Sequence, residues 1–182
     1  MRLPEISFGF WTIILILAWY QWDLCLAFLA AVLVHELGHL AALRCCRIPV
    51  LRLRITINGA IISTTVLEPK EELVCALAGP LGSGVLAVAV LRLWPICSMV
   101  SLALAAVNLL PLLPLDGGRI LRAGLEMTVS PKAVLWIMRI SGFVVAGALM
   151  LCACWTAVWL QAGLWPIFAA LVLLWRTGDL EK

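Results

Sequence analysis

Apolar continuity constrains this chain more than any other feature. Residues 6–22, 24–43, 73–93, 95–115 and 134–159 form long, nearly unbroken apolar runs. Crossing a hydrocarbon core of about 30 Å takes roughly 20 helical residues, and each run has about that length. Lipid offers the backbone no hydrogen-bonding partner, so only helices or closed barrels span it. Runs without two-residue alternation favour helices. A sixth run, 164–175, is shorter and holds Pro166, with Gln161, Ala162 and Gly163 as the turn before it. The expectation is an all-α integral membrane protein of about six transmembrane helices. The composition, 64% hydrophobic and 13% charged, lies outside the range of soluble domains.

Orientation follows from where Lys and Arg fall on that map. Arg2, Arg44, Arg47, Arg52, Arg54, Lys70, Arg119, Arg122, Lys132, Arg139, Arg176 and Lys182 lie on one side and Arg92 on the other. Twelve against one places both termini in the cytoplasm, and ten against three does the same if the sixth run does not cross. This asymmetry accounts for the net charge of +3, which therefore gives no reason to expect a nucleic-acid partner. Trp19, Tyr20 and Trp22 read as interfacial anchors, so the first span is expected to be retained rather than cleaved as a signal peptide. Seven cysteines, two of them at the cytoplasmic positions Cys45 and Cys46, imply no disulfide framework.

Into the second apolar run the chain sets VLVHELGHLAAL, residues 32–43, which contains its two histidines. Positions i and i+4 share a helix face, so His35 and His39 can direct their rings at one point. Neutral imidazoles there would hold zinc, and Glu36 would stand beside the metal as a general base, the reading that the H-E-x-x-H pattern carries. In a soluble helix the pattern arises by chance at no cost. Near mid-bilayer each charged side chain costs about 2.5–3.5 kcal/mol, which argues against an idle Glu36.

A catalytic zinc site usually takes three protein ligands and a water. With no third histidine, the remaining ligand must be a carboxylate or a thiolate. Glu5, Asp23, Asp179 and Glu181 lie near chain or span ends, and Glu68, Glu71 and Glu72 read as the acidic first turn of a helix opened by Pro69. Asp116 differs. It ends the stretch NLLPLLPLDGGR, residues 108–119, in which Pro111, Pro114, Gly117 and Gly118 break the fourth helix. Unwound backbone at membrane depth is tolerated only when buried in protein or lining a cavity. Asp116 precedes cytoplasmic Arg119 as the histidines precede cytoplasmic Arg44, so both approach one face. Zinc with ionised Glu36 and Asp116 also sums to zero charge.

At these residues the chain resembles the site-2 protease family of intramembrane zinc metalloproteases. HELGH at 35–39 is similar to its zinc motif, and NLLPLLPLDGG at 108–118 to its second motif, whose aspartate is the third ligand. AGPLGSG, residues 78–84, looks like the family's Ala-Gly-Pro helix, with Ser83 where many members have Asn. The chain is similar to the compact sporulation-type branch, without a PDZ domain, and is expected to be a single peptidase domain over 1–182 that also lacks that branch's frequent CBS domain. The resemblance implies one zinc ion, a membrane-associated protein substrate, an inhibitory membrane partner as a possibility, and a sigma-factor precursor in sporulation as the best-known substrate class.

Three further features bear on mechanism. Asn108 is a lone amide in an apolar helix and a candidate to bind substrate or the oxyanion; the competing reading is an inter-helix hydrogen bond. LRLRITINGAIISTTV, residues 51–66, reads as a β-hairpin turning at Asn58-Gly59. Its expected register pairs Ile57 with Ala60, Ile55 with Ile62, Leu53 with Thr64, Leu51 with Val66, Arg54 with Ser63 and Arg52 with Thr65. A free edge could take up extended substrate, or the hairpin could simply anchor at the interface. Ala78, Gly79, Gly82, Ser83 and Gly84 form a small-residue patch expected to serve as scaffolding, and Ser130-Pro131 reads as a helix start. The rival class to a protease is a metal transporter or a non-catalytic metal-binding scaffold with the same ligands. Glu36 separates them, since transport needs no base beside the metal.

Overall fold

The computed structural model describes residues 5–6, 12, 15, 18–19, 21–56 and 59–159. The predicted span 164–175 lies outside these residues, and so does most of 6–22. The chain divides into two compact units, Met1–Leu109 and Leu110–Lys182.

In the first unit α1 (Trp22–Cys45) carries both histidines. It ends in a Schellman turn: Ile48 N–H donates to Leu43 C=O (2.9 Å) and Arg47 N–H to Arg44 C=O (3.0 Å). Arg47 takes the left-handed φ of 58° that the motif requires. Ile48 packs against the buried cluster of Ala42, Leu43 and Cys75, which supplies the motif's usual apolar contact.

Strands β1 (Glu5–Ile6), β2 (Val50–Thr56) and β3 (Gly59–Thr64) form one sheet in the order β1-β2-β3. The hairpin is present, but its register is corrected: Thr56 pairs with Gly59, Ile55 with Ala60, Arg54 with Ile61, Leu53 with Ile62 and Arg52 with Ser63. Residues 57 and 58 therefore link the strands in place of Asn58-Gly59, and they lie outside the described residues. A slip of two leaves every side chain on its original face, so alternation could not distinguish the two registers. An irregularity between Val50 and Arg52 ends the pairing at Val50–Thr64, which leaves Val66 beyond β3 and fully exposed. Parallel pairing of Glu5 and Ile6 with Arg54 and Ile55 was not foreseen.

Helix α2 (Pro69–Val90) starts as expected. Pro69 needs no N–H partner at the first helical position, and Glu71 Oε2 accepts from Glu68 N–H at 3.0 Å. Antiparallel to α1, it crosses close. A Cβ on Gly38 would collide with the Ala78 carbonyl, and one on Gly82 would lie 3.1 Å from Val34 O. Glycine is what lets the two backbones approach. A Cβ on Gly84, by contrast, would meet nothing within 4 Å, so this glycine takes no part in the crossing. Helix α3 (Pro95–Asn108) is tied to α2 by Ser98 Oγ–H donating to Ala87 O (2.8 Å). The indole N–H of Trp94, just before α3, donates to Asp23 on α1 (2.7 Å).

Where 95–115 was expected to continue, the helix stops at Asn108. Proline supplies no N–H and disfavours helical backbone in the residue before it, so Pro111 and Pro114 prevent propagation. In the second unit, residues 110–115 are irregular, with a cis Leu113–Pro114 bond. Helices α4 (Asp116–Glu126) and α5 (Pro131–Trp159) follow, α5 opening at Pro131 as predicted. A Cβ on Gly118 would lie 2.5 Å from the Leu112 carbonyl carbon, so a glycine there permits α4 to fold back on the irregular segment.

Burial is inverted relative to a water-soluble protein. The buried apolar residues are mostly small, among them Ala27, Ala31, Cys75, Ala76 and Ala87, while Leu33, Leu37, Val85, Val88, Trp136, Phe143 and Leu151 are exposed. That distribution suits a lipid solvent, in which close packing of small residues drives helix association. Among the described residues Trp22–Cys45, Pro69–Val90 and Pro131–Thr156 are long and apolar enough to cross a bilayer, and Pro95–Asn108 is a shorter apolar helix.

Candidate metal centre

One turn of α1 separates His35 from His39, and both rings turn inward to near-complete burial, at 4% and 7% exposure. They meet edge to face, centroids 4.9 Å apart at 80°, with their Nε2 atoms 3.2 Å apart. The opposite nitrogen of each ring is engaged by α2. His39 Nδ1–H donates to the Cys75 carbonyl at 2.7 Å. A carbonyl only accepts, so the ring proton of neutral His39 sits on Nδ1 and its Nε2 presents a lone pair. His35 Nδ1 lies 3.0 Å from Ser83 Oγ, a hydroxyl able to donate or accept.

This geometry fits a zinc ion. Two nitrogens each about 2.0–2.1 Å from a tetrahedral zinc stand about 3.3 Å apart, close to the observed 3.2 Å. Orienting a ligand histidine through the hydrogen bond on its other nitrogen is how protein metal sites fix tautomer and ring direction. Space for the pair comes from Gly79, where a Cβ would lie 2.5 Å from His39 Cε1 and 2.9 Å from His35 Nε2. The α2 backbone thus forms a wall of the site.

Glu36, half-buried, follows His35 by one residue, a rotation of about 100° around the helix. In the second unit Asp116 is buried, 5% exposed, in the first turn of α4, where a negative charge complements the helix dipole. Its Oδ1 accepts from Arg119 Nη1 at 3.3 Å. Asn108, the last residue of α3, is half-buried, and its Nδ2 donates to Leu104 O of the same helix at 3.0 Å. That bond caps its own helix, so the expected competing role, a bond between helices, is not the one this contact makes.

Sequence reasoning did not assign Cys75, Gly79 and Ser83 to the site. They recur at every fourth residue of α2, the same period as the two histidines opposite, and a lone serine in an apolar helix was the available signal. Ser83 was grouped with the scaffolding patch; its hydroxyl instead faces a ring nitrogen.

Comparison with known proteins follows the same residues. Residues 77–149 match the model of Peptidase family M50, a segment that includes Gly79, Ser83, Asn108 and Asp116 and begins after the histidines. A protein of Methanocaldococcus jannaschii named as a zinc metalloprotease is 28% identical over 127 residues, covering 63% of this chain and 34% of that protein. The chain thus spans about a third of that relative's length. The solved structure of a site-2 protease from Methanocaldococcus jannaschii superposes with a TM-score of 0.70 at 21% identity, over 98% of this chain and 92% of the other; at that identity the likeness speaks for the fold. Segment, curated relative and fold point the same way: the chain carries a stretch similar to Peptidase family M50, resembles a protein named as a zinc metalloprotease, and shares the fold of a site-2 protease.

Proposed function

We propose that the chain is an intramembrane zinc metalloprotease that hydrolyses a peptide bond of a membrane-associated protein near the cytoplasmic face. The observation that carries the reading is the convergence of the two Nε2 atoms, 3.2 Å apart in a buried, apolar setting. His35, His39 and Asp116 would hold one zinc ion: all three are buried, and their side chains are of the types that ligate zinc. When bound, zinc supplies a Lewis acid that polarises the scissile carbonyl and makes water acidic enough to attack near neutral pH. Glu36 would be the group that accepts the proton of the attacking water and returns it to the leaving amine. Asn108 has a second amide hydrogen beyond the one given to Leu104, and it donates this to the substrate carbonyl or backbone.

Substrate reaches the centre in extended form. In support, β3 is an edge strand among the described residues, and such an edge accepts an added strand through main-chain hydrogen bonds. Residues 1–182 act as one membrane-embedded peptidase unit with both termini cytoplasmic, which the distribution of Lys and Arg supports. A membrane-tethered sigma-factor precursor of sporulation is the first substrate to try.

The test is co-expression with such a precursor, comparing the chain with its Glu36→Gln form, together with metal analysis of both purified proteins. We expect about one zinc per chain in each and a loss of cleavage of about 10²–10⁴-fold in the variant, the usual contribution of a general acid–base. Unchanged cleavage by Glu36→Gln, or no zinc in the wild-type chain, refutes the reading.

A further inference from the structure

The two histidines are held in chemically different ways. His39 donates to a main-chain carbonyl, that of Cys75, which no substitution can delete. His35 faces a side chain, Ser83 Oγ, across 3.0 Å, 48 residues away in sequence. Ser83 is fully buried, so bulk water does not compete for its hydroxyl. Without a partner on Nδ1, the His35 ring could rotate about χ2 or adopt the tautomer that places hydrogen on Nε2, and either change withdraws a lone pair from the point where the rings meet.

We propose that Ser83 is a positioning residue: its hydroxyl accepts from His35 Nδ1–H, orients the ring, and so sets how tightly the histidine pair binds a divalent cation. The inference rests on the metalloprotease reading above. It assigns the α2 segment containing Gly79 and Ser83 a role beyond close packing, because the same four-residue repeat that accommodates the rings also aligns them. Outer-shell partners of this kind typically change metal affinity by about 10–100-fold.

The experiment uses the full chain in detergent micelles, with zinc affinity measured by chelator competition for the wild type, Ser83→Ala and Ser83→Thr. We expect Ser83→Ala to bind zinc at least about 10-fold more weakly and to show a shifted visible absorption band with cobalt in place of zinc. Ser83→Thr, which keeps the hydroxyl, should restore affinity to within about threefold of wild type. A purely structural serine would lower the melting temperature and leave zinc affinity and the cobalt spectrum unchanged. Zinc binding by a folded Ser83→Ala within twofold of wild type therefore overturns the proposal. Nitrogen-15 NMR of the histidines in the zinc-loaded wild type decides independently of whether a variant folds: hydrogen on His35 Nδ1 is expected, and hydrogen on Nε2 overturns it. Absence of zinc binding by the wild type would instead sink the protease reading itself, so the two failures are distinguishable.

Discussion

Two regions deliver the candidate chemistry, and they are built on opposite principles. The histidine region keeps its helices intact: α1 and α2 run uninterrupted past one another, and precision comes from glycines that let one backbone press against the rings of the other. The aspartate region breaks its helix: α3 stops at Asn108, an irregular segment follows, and Asp116 appears in the first turn of α4. An intact helix satisfies its own backbone and can place side chains at fixed four-residue intervals anywhere in the bilayer. A break exposes backbone groups but allows a carboxylate at a helix N-terminus, where the dipole and the neighbouring Arg119 oppose its desolvation. The first device orients two imidazole rings; the second carries a carboxylate.

The sharpest way to break this comparison is at Gly79. A methyl there would occupy space now held by His39 and His35, so Gly79→Ala should lower zinc affinity by at least about 100-fold, the upper range for outer-shell changes. Retained binding would mean that the rings are less tightly seated than the geometry requires.

Next in size are the packing contacts of each region. Gly38→Ala drives a methyl into the Ala78 carbonyl of the intact crossing, and Gly118→Ala drives one against the Leu112 and Leu113 backbone of the broken one. Each should destabilise the chain by about 1–3 kcal/mol, read as a lower melting temperature in detergent. If the regions differ as described, Gly38→Ala also weakens zinc binding by the isolated histidine pair in an Asp116→Ala background, whereas Gly118→Ala does not.

Smallest is the effect at Arg47, whose φ of 58° is a left-handed conformation costly for any residue with a Cβ. Arg47→Gly relieves about 1 kcal/mol of that cost. A modest rise in melting temperature with unchanged zinc affinity is expected; a fall would show that the arginine side chain makes a compensating contact.

Legibility followed the range of the interactions involved. Helix starts at Pro69 and Pro131 could be read because each depends on a proline at the first helical position. The stop after Asn108 was placed too late, since the sequence marks the prolines but not how far the irregularity spreads before them. Alternation set the faces of β2 and β3, yet the hairpin register slipped by two, because a period of two cannot see such a shift. Ser83 was visible as a polar residue in an apolar helix, but the ring nitrogen that it faces was not.

By itself the sequence determined the solvent of the fold, the shared face of His35 and His39, and the existence of a helix break before Asp116. Each follows from short-range rules: hydropathy over about 20 residues, a repeat of 3.6, and the missing N–H of proline. Only the tertiary structure decided that Cys75 O and Ser83 Oγ meet the two Nδ1 atoms and that Gly79 lies against the rings. Those contacts join residues 36 to 48 positions apart. They depend on the axial register in which α1 crosses α2, which is fixed by the combined fit of small residues along both helices and is written in neither helix alone.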